Sequence, residues 1–204
     1  MDIIDKLSEI FKEFPGIGER QARRFVYFLM AKNGAYTDNL TKLIQDLKKE
    51  VAQCKECFRF FILRDPPKDG QVCEICAEPN LDATLMVVEK DSDLESVRKS
   101  GIYRGKYFVL GGLVPIVEKN TKRQVRIEEL KQKAESNKQL KEIILAFSLN
   151  PHGEHTDQYI RQELQATTKQ LGIRISSLGR GLSTGTELEY SDNDTLKNAL
   201  KNRQ

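Results

Sequence analysis

The chain has 204 residues, of which 39% are hydrophobic and 31% charged, and its formal net charge is +3. This length suits one large domain or two small ones, and the composition is that of an ordinary soluble protein. No apolar run approaches the length of a membrane span, and the acidic N-terminus MDIIDKLSEIF is unlike a signal peptide. We therefore expect a cytoplasmic protein, and the small net charge says nothing about nucleic acid.

The N-terminal stretch contains two helical patterns separated by the sequence PGIG. Residues 2–13 carry apolar side chains at helical spacing, and a second helix is predicted after the turn. Two glycines let the backbone turn tightly and approach a ligand closely. The pattern predicts a hairpin of two helices, the second of which has an apolar side made of Ala22, Phe25, Val26, Phe28 and Leu29.

This hairpin resembles the helix-hairpin-helix motif of DNA-binding proteins. The amides of Ile17, Gly18 and Glu19 are expected to point outward at a helix N-terminus, whose partial positive charge suits a phosphate. Contacts of this kind read the DNA backbone, so binding is expected to be independent of sequence. The alternative is a plain hairpin whose glycines only make a corner. The predicted DNA-binding residues here are Gly16, Ile17, Gly18, Arg20, Arg23 and Arg24.

A third helix is predicted over residues 39–53, and it leads into four cysteines with the spacing C-x2-C, fifteen residues, C-x2-C. Two such turns can complete a tetrahedral shell of four sulfurs, which suits Zn²⁺ and leaves no open position for catalysis. Two disulfides or a redox pair are the alternatives; the first needs an oxidising compartment and the second leaves one pair unexplained. The apolar residues 58–63 are expected to pack around the metal. The predicted ligands are Cys54, Cys57, Cys73 and Cys76.

Beyond residue 84, short apolar runs alternate with helical patterns. Strands are predicted over residues 84–88, 107–110, 143–147 and 173–175, and helices over 94–100, 127–137 and 156–170. This alternation predicts a mostly parallel sheet covered by helices on both faces. Functional residues of such sheets gather beyond the carboxyl ends of the strands. Glu89, Gly111-Gly112 and residues 150–155 fall at those ends.

Residues 98–126 carry eight lysines and arginines against one acid, Glu118. Such a segment can be a phosphate-binding surface, or a solvated face balanced by acids elsewhere, and charge alone leaves both open. The eight are Arg98, Lys99, Arg104, Lys106, Lys119, Lys122, Arg123 and Arg126.

The order of these parts resembles the RecR family of bacterial recombination mediators over nearly the whole chain. The stretches that carry the resemblance are PGIGERQARR, the cysteine frame, LMVVE, YRGKYFVLGG, EIILAFSLNPHGEHTDQYI and GLSTGTELEYSDNDTLKNAL. It implies a multi-module α+β fold: a helix-hairpin-helix region over residues 1–53, a small four-cysteine zinc module over 54–80, and a Toprim-like α/β domain with a mostly parallel sheet over 81–178. A C-terminal tail over 179–204 would then take part in subunit contacts.

The function that this resemblance implies is not enzymatic. Members of the family are similar to a DNA clamp: they form ring-like homo-oligomers and work with RecO and RecF to help load the RecA recombinase at single-stranded gaps. A structural Zn²⁺, a DNA partner, a tetramer or dimer, and a location in the cytoplasm with the nucleoid follow as expectations. Neither a membrane nor a small-molecule substrate is expected.

The resemblance also has departures. Glu89 and Glu154 match acidic positions of the Toprim pattern, and the resemblance implies a partner contact at these residues. His152, however, stands where the family usually has another acid, and imidazole is a poor Mg²⁺ ligand. This argues against the alternative function, a Mg²⁺-dependent Toprim nuclease or a primase-related enzyme. His152 and His155 are read as an exposed loop pair rather than a second metal site. Lys122 and Arg123 replace glycines of the family's loop, which predicts an additional DNA contact.

Overall fold

A computed structural model of the chain describes residues 1–63, 72–116, 125–179, 185, 187–191 and 193–201. The chain divides into two compact units, Met1–Ala52 and Gln53–Gln204. Among the helices in the described ranges, none is long and apolar enough to cross a membrane. The predicted Lys122 and Arg123 lie outside the described residues.

The first unit contains the helices α1 (Ile3–Lys12), α2 (Glu19–Met30) and α3 (Gly34–Glu50). Helix α1 begins at the cap Asp2, whose carboxylate accepts a hydrogen bond from the amide of Asp5 at 2.8 Å. The rings of Phe11 and Phe25 meet edge to face at 5.7 Å and join α1 to α2. The predicted hairpin of two helices is therefore present.

Helix α3 differs from the prediction in its bounds and in its burial. It begins five residues earlier than expected, because the Asn33 side chain caps it by accepting from the amide of Tyr36 at 3.0 Å. It ends at Glu50, and the next three residues form a strand. Its apolar residues are largely exposed: the side chains of Leu43, Ile44 and Leu47 are 58%, 58% and 60% exposed.

The region with the four cysteines lies at the start of the second unit. Strands β1 (Val51–Gln53) and β2 (Phe60–Ile62) form a two-stranded sheet around the first cysteine turn, and the short helix α4 (Glu74–Ala77) carries the second turn. The expectation that residues 58–63 pack around the metal is correct for Phe61 and wrong for Phe60 and Ile62, which are exposed. Alternation along β2 turns these two side chains away from the cysteines.

A four-stranded parallel sheet forms the rest of the unit. Its strands stand in the order β4-β3-β5-β6. Each connection within this sheet passes through a helix, as parallel strands require. The elements in chain order are β3 (Asp82–Val88), α5 (Asp91–Ser100), β4 (Gly105–Val109), α6 (Ile127–Ser136), β5 (Glu142–Ala146), α7 (Pro151–Leu171) and β6 (Arg174–Ser177). A 3-10 turn (Leu188–Tyr190) and helix α8 (Asn193–Lys201) follow.

The sheet is buried on both faces, as its apolar strands predict. One face packs with α6 and α7 around Leu85, Phe108 and Ile143, and the other packs with α5 around Met86 and Leu94. All four strand predictions and the predicted parallel sheet are confirmed.

Helix α7 starts earlier than its apolar pattern indicated, at Pro151 rather than residue 156. The cap is Asn150, whose side chain accepts from the amide of Gly153 at 2.8 Å, and proline at the first helical position is favourable because its missing N–H needs no partner. The interpretation of His152 and His155 as loop residues is therefore wrong. Both lie in the first two turns of α7, with His152 exposed and His155 half-buried.

Candidate metal centre and nucleic-acid interface

The two cysteine turns bring four sulfur atoms together. Their Sγ atoms all lie within 4.8 Å of one another, and those of Cys57 and Cys73 are 3.6 Å apart. A tetrahedral shell with metal–sulfur bonds of about 2.3 Å places its sulfurs about 3.8 Å apart. The four side chains therefore fit a single metal ion, and the members of this cluster are Cys54, Cys57, Cys73 and Cys76.

Local backbone geometry supports negative charge on these sulfurs. The amides of Glu56 and Cys73 donate to the Cys54 sulfur at 3.4 and 3.3 Å. Hydrogen bonds from the other three cysteines lower the pKa of the Cys54 thiol well below its usual range, while Cys54 in turn raises the pKa of Cys57 and of Cys76. Cys54 also raises the pKa of the Cys73 thiol, but hydrogen bonds from Cys57 and Cys76 outweigh that effect and lower this pKa to about 6. The cluster thus favours thiolates at Cys54 and Cys73 by itself, and a bound cation would favour the other two.

The cysteine turns are anchored to the parallel sheet. The amide of Val109, at the end of β4, donates to the Cys57 carbonyl at 2.8 Å. Lys133 on α6 forms an ion pair with Glu56, which lies between the first two cysteines. The four-cysteine region and the sheet consequently belong to one compact unit rather than to two.

Arg59 is a residue of this centre that the sequence analysis did not single out. Its side chain is 5% exposed and forms ion pairs with Glu74 at 2.6 Å and Glu95 at 3.3 Å. Burial lowers the pKa of the Arg59 guanidinium, but the negative charges of Cys73 and Glu74 raise it, and the net direction is upward. The sequence did contain a sign of this buried arginine, because Arg59 is the one charged residue in the apolar run Phe58-Arg59-Phe60-Phe61.

In the hairpin, the PGIG turn is tight and partly closed on itself. Gly16 has φ +76°, a left-handed conformation that glycine adopts at little cost. The amide of Ile17 donates to the Phe14 carbonyl at 3.0 Å, and that of Gly18 donates to the Gln21 side chain at 3.3 Å. The amides of Ile17, Gly18 and Glu19 were expected to point outward. This expectation is wrong for Ile17, and the Gly18 amide can reach a ligand only by releasing Gln21.

The three arginines that follow the turn differ in their partners. Arg23 pairs with Asp5 on α1 at 3.3 Å. Arg20 and Arg24 are exposed and form no ion pair within Met1–Ala52, all of which the structure describes. Arg24 also lines a groove of about 450 Å³ together with Ile17, Gln21, Phe25 and Phe28. Two guanidinium groups that have no ion pair within this unit thus lie beside the turn.

The Toprim-pattern acids lie at the carboxyl edge of neighbouring strands. Glu89 follows β3, and Glu154 lies in the first turn of α7, after β5, with Val88 and Ala146 in register. In the described part of the chain, the four cysteines are the one group of three or more side chains that could hold a metal ion. No third carboxylate or imidazole therefore joins Glu89 and Glu154 in a metal-binding group there.

Two residues of the basic segment are committed to internal contacts. Arg98 pairs with Glu74 and Glu95 at 3.4 Å each. Arg126 donates to the Val109 carbonyl at 3.0 Å and stacks on the Phe58 ring. Lys99 and Arg104 are exposed, whereas Lys119, like Lys122 and Arg123, lies outside the described residues. The segment is accordingly not one uniform phosphate-binding surface.

Comparison with known proteins extends over the whole chain. Residues 83–178 match the family model of the Toprim domain, and residues 181–204 match that of the RecR C-terminal region. Proteins named Recombination protein RecR are similar throughout: that of Bacteroides thetaiotaomicron is 36% identical over 98% of this chain and 93% of its own length. Those of Amoebophilus asiaticus and Lactobacillus acidophilus are 34% and 32% identical, over 98% of this chain and 95% and 96% of theirs. The chain belongs to the RecR family of recombination proteins.

Proposed function

We propose that this chain is a non-catalytic recombination mediator that grips the phosphate backbone of DNA and acts with RecO and RecF to help load RecA at single-stranded gaps. The observation that supports the DNA contact is a pair of exposed arginines beside the PGIG turn, Arg20 and Arg24, which form no ion pair among the described residues. The RecO and RecF partnership follows from the family resemblance. A cytoplasmic location with the nucleoid follows from the DNA partner.

The metal of this proposal is one Zn²⁺ per chain, held by the four cysteines. Sulfur ligands in a tetrahedral cluster suit zinc, and four of them leave no position for a water molecule. The ion therefore has a structural role, holding two turns that have few apolar side chains of their own. Under this proposal the modules are residues 1–53, 54–80, 81–178 and 179–204, with the second docked on the third.

A Toprim-type enzyme is the competing function. Such an enzyme needs several oxygen ligands for Mg²⁺, and the His152 side chain offers nitrogen where the pattern has an acid. Incubating the purified chain with Mg²⁺ or Mn²⁺ and end-labelled DNA distinguishes the two: a mediator yields no cleaved or extended product, and a product would contradict the proposal.

A ring-like homo-oligomer, a tetramer or a dimer, completes the proposal. Within Met1–Ala52 the buried residues are Ser8, Ala22 and Val26 alone, while many large apolar side chains are exposed. Apolar area of this extent on a soluble chain usually marks a protein interface. Subunit contacts through this unit and the C-terminal tail would cover it.

The DNA contact is tested by changing both Arg20 and Arg24 to alanine. Each lost phosphate contact should lower the slope of log K against log salt by about 0.7 to 0.9 and weaken binding alike on unrelated sequences. Fluorescence anisotropy with two unrelated oligonucleotides over a range of salt concentrations measures both quantities. Arg23→Ala should have a smaller effect, because Arg23 is already paired with Asp5.

The control is Lys48→Ala with Lys49→Ala, which removes the same charge from the end of α3. Wild-type salt slope and affinity in the Arg20/Arg24 double variant would contradict the DNA contact. Equal losses in both double variants would show a general effect of net charge rather than a site.

A further inference from the structure

The peptide of Arg59 is fixed by the first cysteine turn. Phe58 adopts φ +62°, unusual for a residue with a bulky side chain, and its amide donates to the Cys54 carbonyl at 2.9 Å. The amide of Cys54 in turn donates to the Arg59 carbonyl at 2.9 Å. These two hydrogen bonds form a closed turn from Cys54 to Arg59. They fix the backbone of Arg59 next to the proposed ligands Cys54 and Cys57.

The guanidinium of Arg59 is buried beside the second cysteine turn. Its Nη2 donates to Glu74, the residue that follows Cys73, and its Nη1 donates to Glu95 on α5. Its Nε is buried and has no hydrogen-bond partner among the described residues. An arginine this deeply buried is rare unless a negative charge compensates it, and the two carboxylates are themselves 57% and 43% exposed.

The four cysteines supply a reason for this burial. With a divalent cation, four thiolates carry a net charge of −2, and Cys54, Cys57 and Cys73 are completely buried. Concentrating that charge away from water is costly unless a positive group lies nearby. Arg59 cannot lose its proton under physiological conditions, so it provides a permanent counter-charge.

We propose that Arg59 sets the metal affinity of the cysteine cluster by offsetting the negative charge of the four thiolates. This inference rests on the proposed metal site. Arg59 touches no metal itself and acts through the cysteines, as groups around a metal site commonly do.

Arg98 offers a matched control within the same cluster of charges. It pairs with the same two acids, Glu74 and Glu95, but its side chain is 44% exposed. Water screens its charge, so it contributes little to the electrostatics of the buried sulfurs. Replacing either arginine by methionine removes one charge and keeps most of the side-chain length.

The experiment measures metal affinity in the full chain after chelator treatment. Apo protein is titrated with Co²⁺, whose visible spectrum reports tetrahedral sulfur coordination, and Zn²⁺ affinity is measured by competition with a chelator at one pH. Arg59→Met should weaken binding about 10- to 100-fold, the usual effect of losing a group that supports metal ligands. Arg59→Lys should fall between, and Arg98→Met should match the wild type.

Glu74→Gln separates the effect of charge from that of a structural clamp, and it decides the question if Arg59→Met does not fold. If Arg59 acts by its charge, removing a carboxylate next to Cys73 should leave metal affinity unchanged or raise it. If Arg59 only clamps Glu74 to Glu95, Glu74→Gln should weaken binding as Arg59→Met does.

The results that overturn the inference are distinct from those that overturn the metal site. Equal metal affinities of Arg59→Met, Arg98→Met and the wild type would contradict the role of Arg59 but not the metal site. Weaker metal binding by Glu74→Gln would do the same. Absence of Co²⁺ and Zn²⁺ binding by the wild type would contradict the metal site and, with it, the role of Arg59.

Discussion

Cys73 has two roles in the cysteine cluster. Its sulfur lies 3.6 Å from that of Cys57, and its backbone caps the short helix α4 while its amide donates to Cys54. A serine here would keep the cap and the amide. It would replace a soft thiolate with a hydroxyl that is a poor ligand for zinc.

We therefore expect Cys73→Ser to lose the metal and much of the stability of the region around it. Structural zinc contributes about 10–16 kcal/mol of apparent binding free energy in small zinc modules, and several kcal/mol of that should disappear with one ligand. Elemental analysis and thermal unfolding, each with and without chelator, measure the change. Ala77→Ser, at an exposed position of α4, is the control. Full zinc content and a wild-type melt in Cys73→Ser would contradict the site.

At the scale of the residue, the sequence predicts which cysteines come together better than it predicts the residues that surround them. The spacing of the cysteines fixes which sulfurs can meet, because each C-x2-C pair forms its own local turn. The partners of Arg59 lie 15 and 36 residues away along the chain, so only the fold brings them together. The amide of Ile17 was wrongly assigned to a ligand, since its internal bond depends on the conformation of the turn.

At the scale of the element, helix starts were missed where the cap precedes the apolar pattern. Asn150 followed by proline was a readable start for α7, but the regular apolar spacing begins only later. Helix α3 ends at Glu50 because the following residues pair with β2 across the cysteine turn, a long-range contact that local propensity does not contain. Strands of the parallel sheet were easier, since burial on both faces makes them continuously apolar.

The start of α7 also depends on a close backbone approach. A Cβ atom on Gly153 would lie 2.0 Å from the Ser148 carbonyl oxygen, so the first turn of the helix must shift to accept any side chain. We expect Gly153→Ala to lower the free energy of unfolding by about 1–3 kcal/mol, the usual cost of overpacking. Chemical denaturation followed by circular dichroism measures it.

Gly34→Ala provides the comparison, since Gly34 begins α3 and a Cβ there meets nothing within 4 Å. That substitution should be neutral or stabilise the protein slightly, because alanine restricts the unfolded chain. Equal denaturation midpoints for the two variants would show that the contact with Ser148 does not limit the helix.

At the scale of the whole molecule, the two units bury their apolar residues to different degrees. The second unit has a continuous core on both faces of its sheet, while the first leaves Phe28, Met30 and Leu47 about half exposed or more. The sequence predicted both apolar patterns equally well. It could not show which of them the same chain covers, because periodicity identifies an apolar face and not its partner.

The C-terminal tail presents a second apolar surface of this kind. Tyr190 is 77% exposed and Leu200, on α8, is 64% exposed, although the tail is otherwise polar. Side chains of this size are expected to be covered in a working assembly, and a neighbouring subunit can cover them.

Deleting residues from Ser191 onward should therefore shift the proposed oligomer toward smaller species, and Leu200→Asp should do so to a lesser degree. The reason is the loss of buried apolar area, at about 25 cal/mol per Å², from each subunit contact. Light scattering coupled to size-exclusion chromatography at several protein concentrations gives the mass. Lys197→Asp, at an exposed position of α8, is the control, because it changes charge on the same helix without removing an apolar side chain. An unchanged mass for the truncated chain at every concentration would mean that the subunit contacts lie elsewhere. The exposed apolar side chains of α2 and α3 would then be the next positions to mutate.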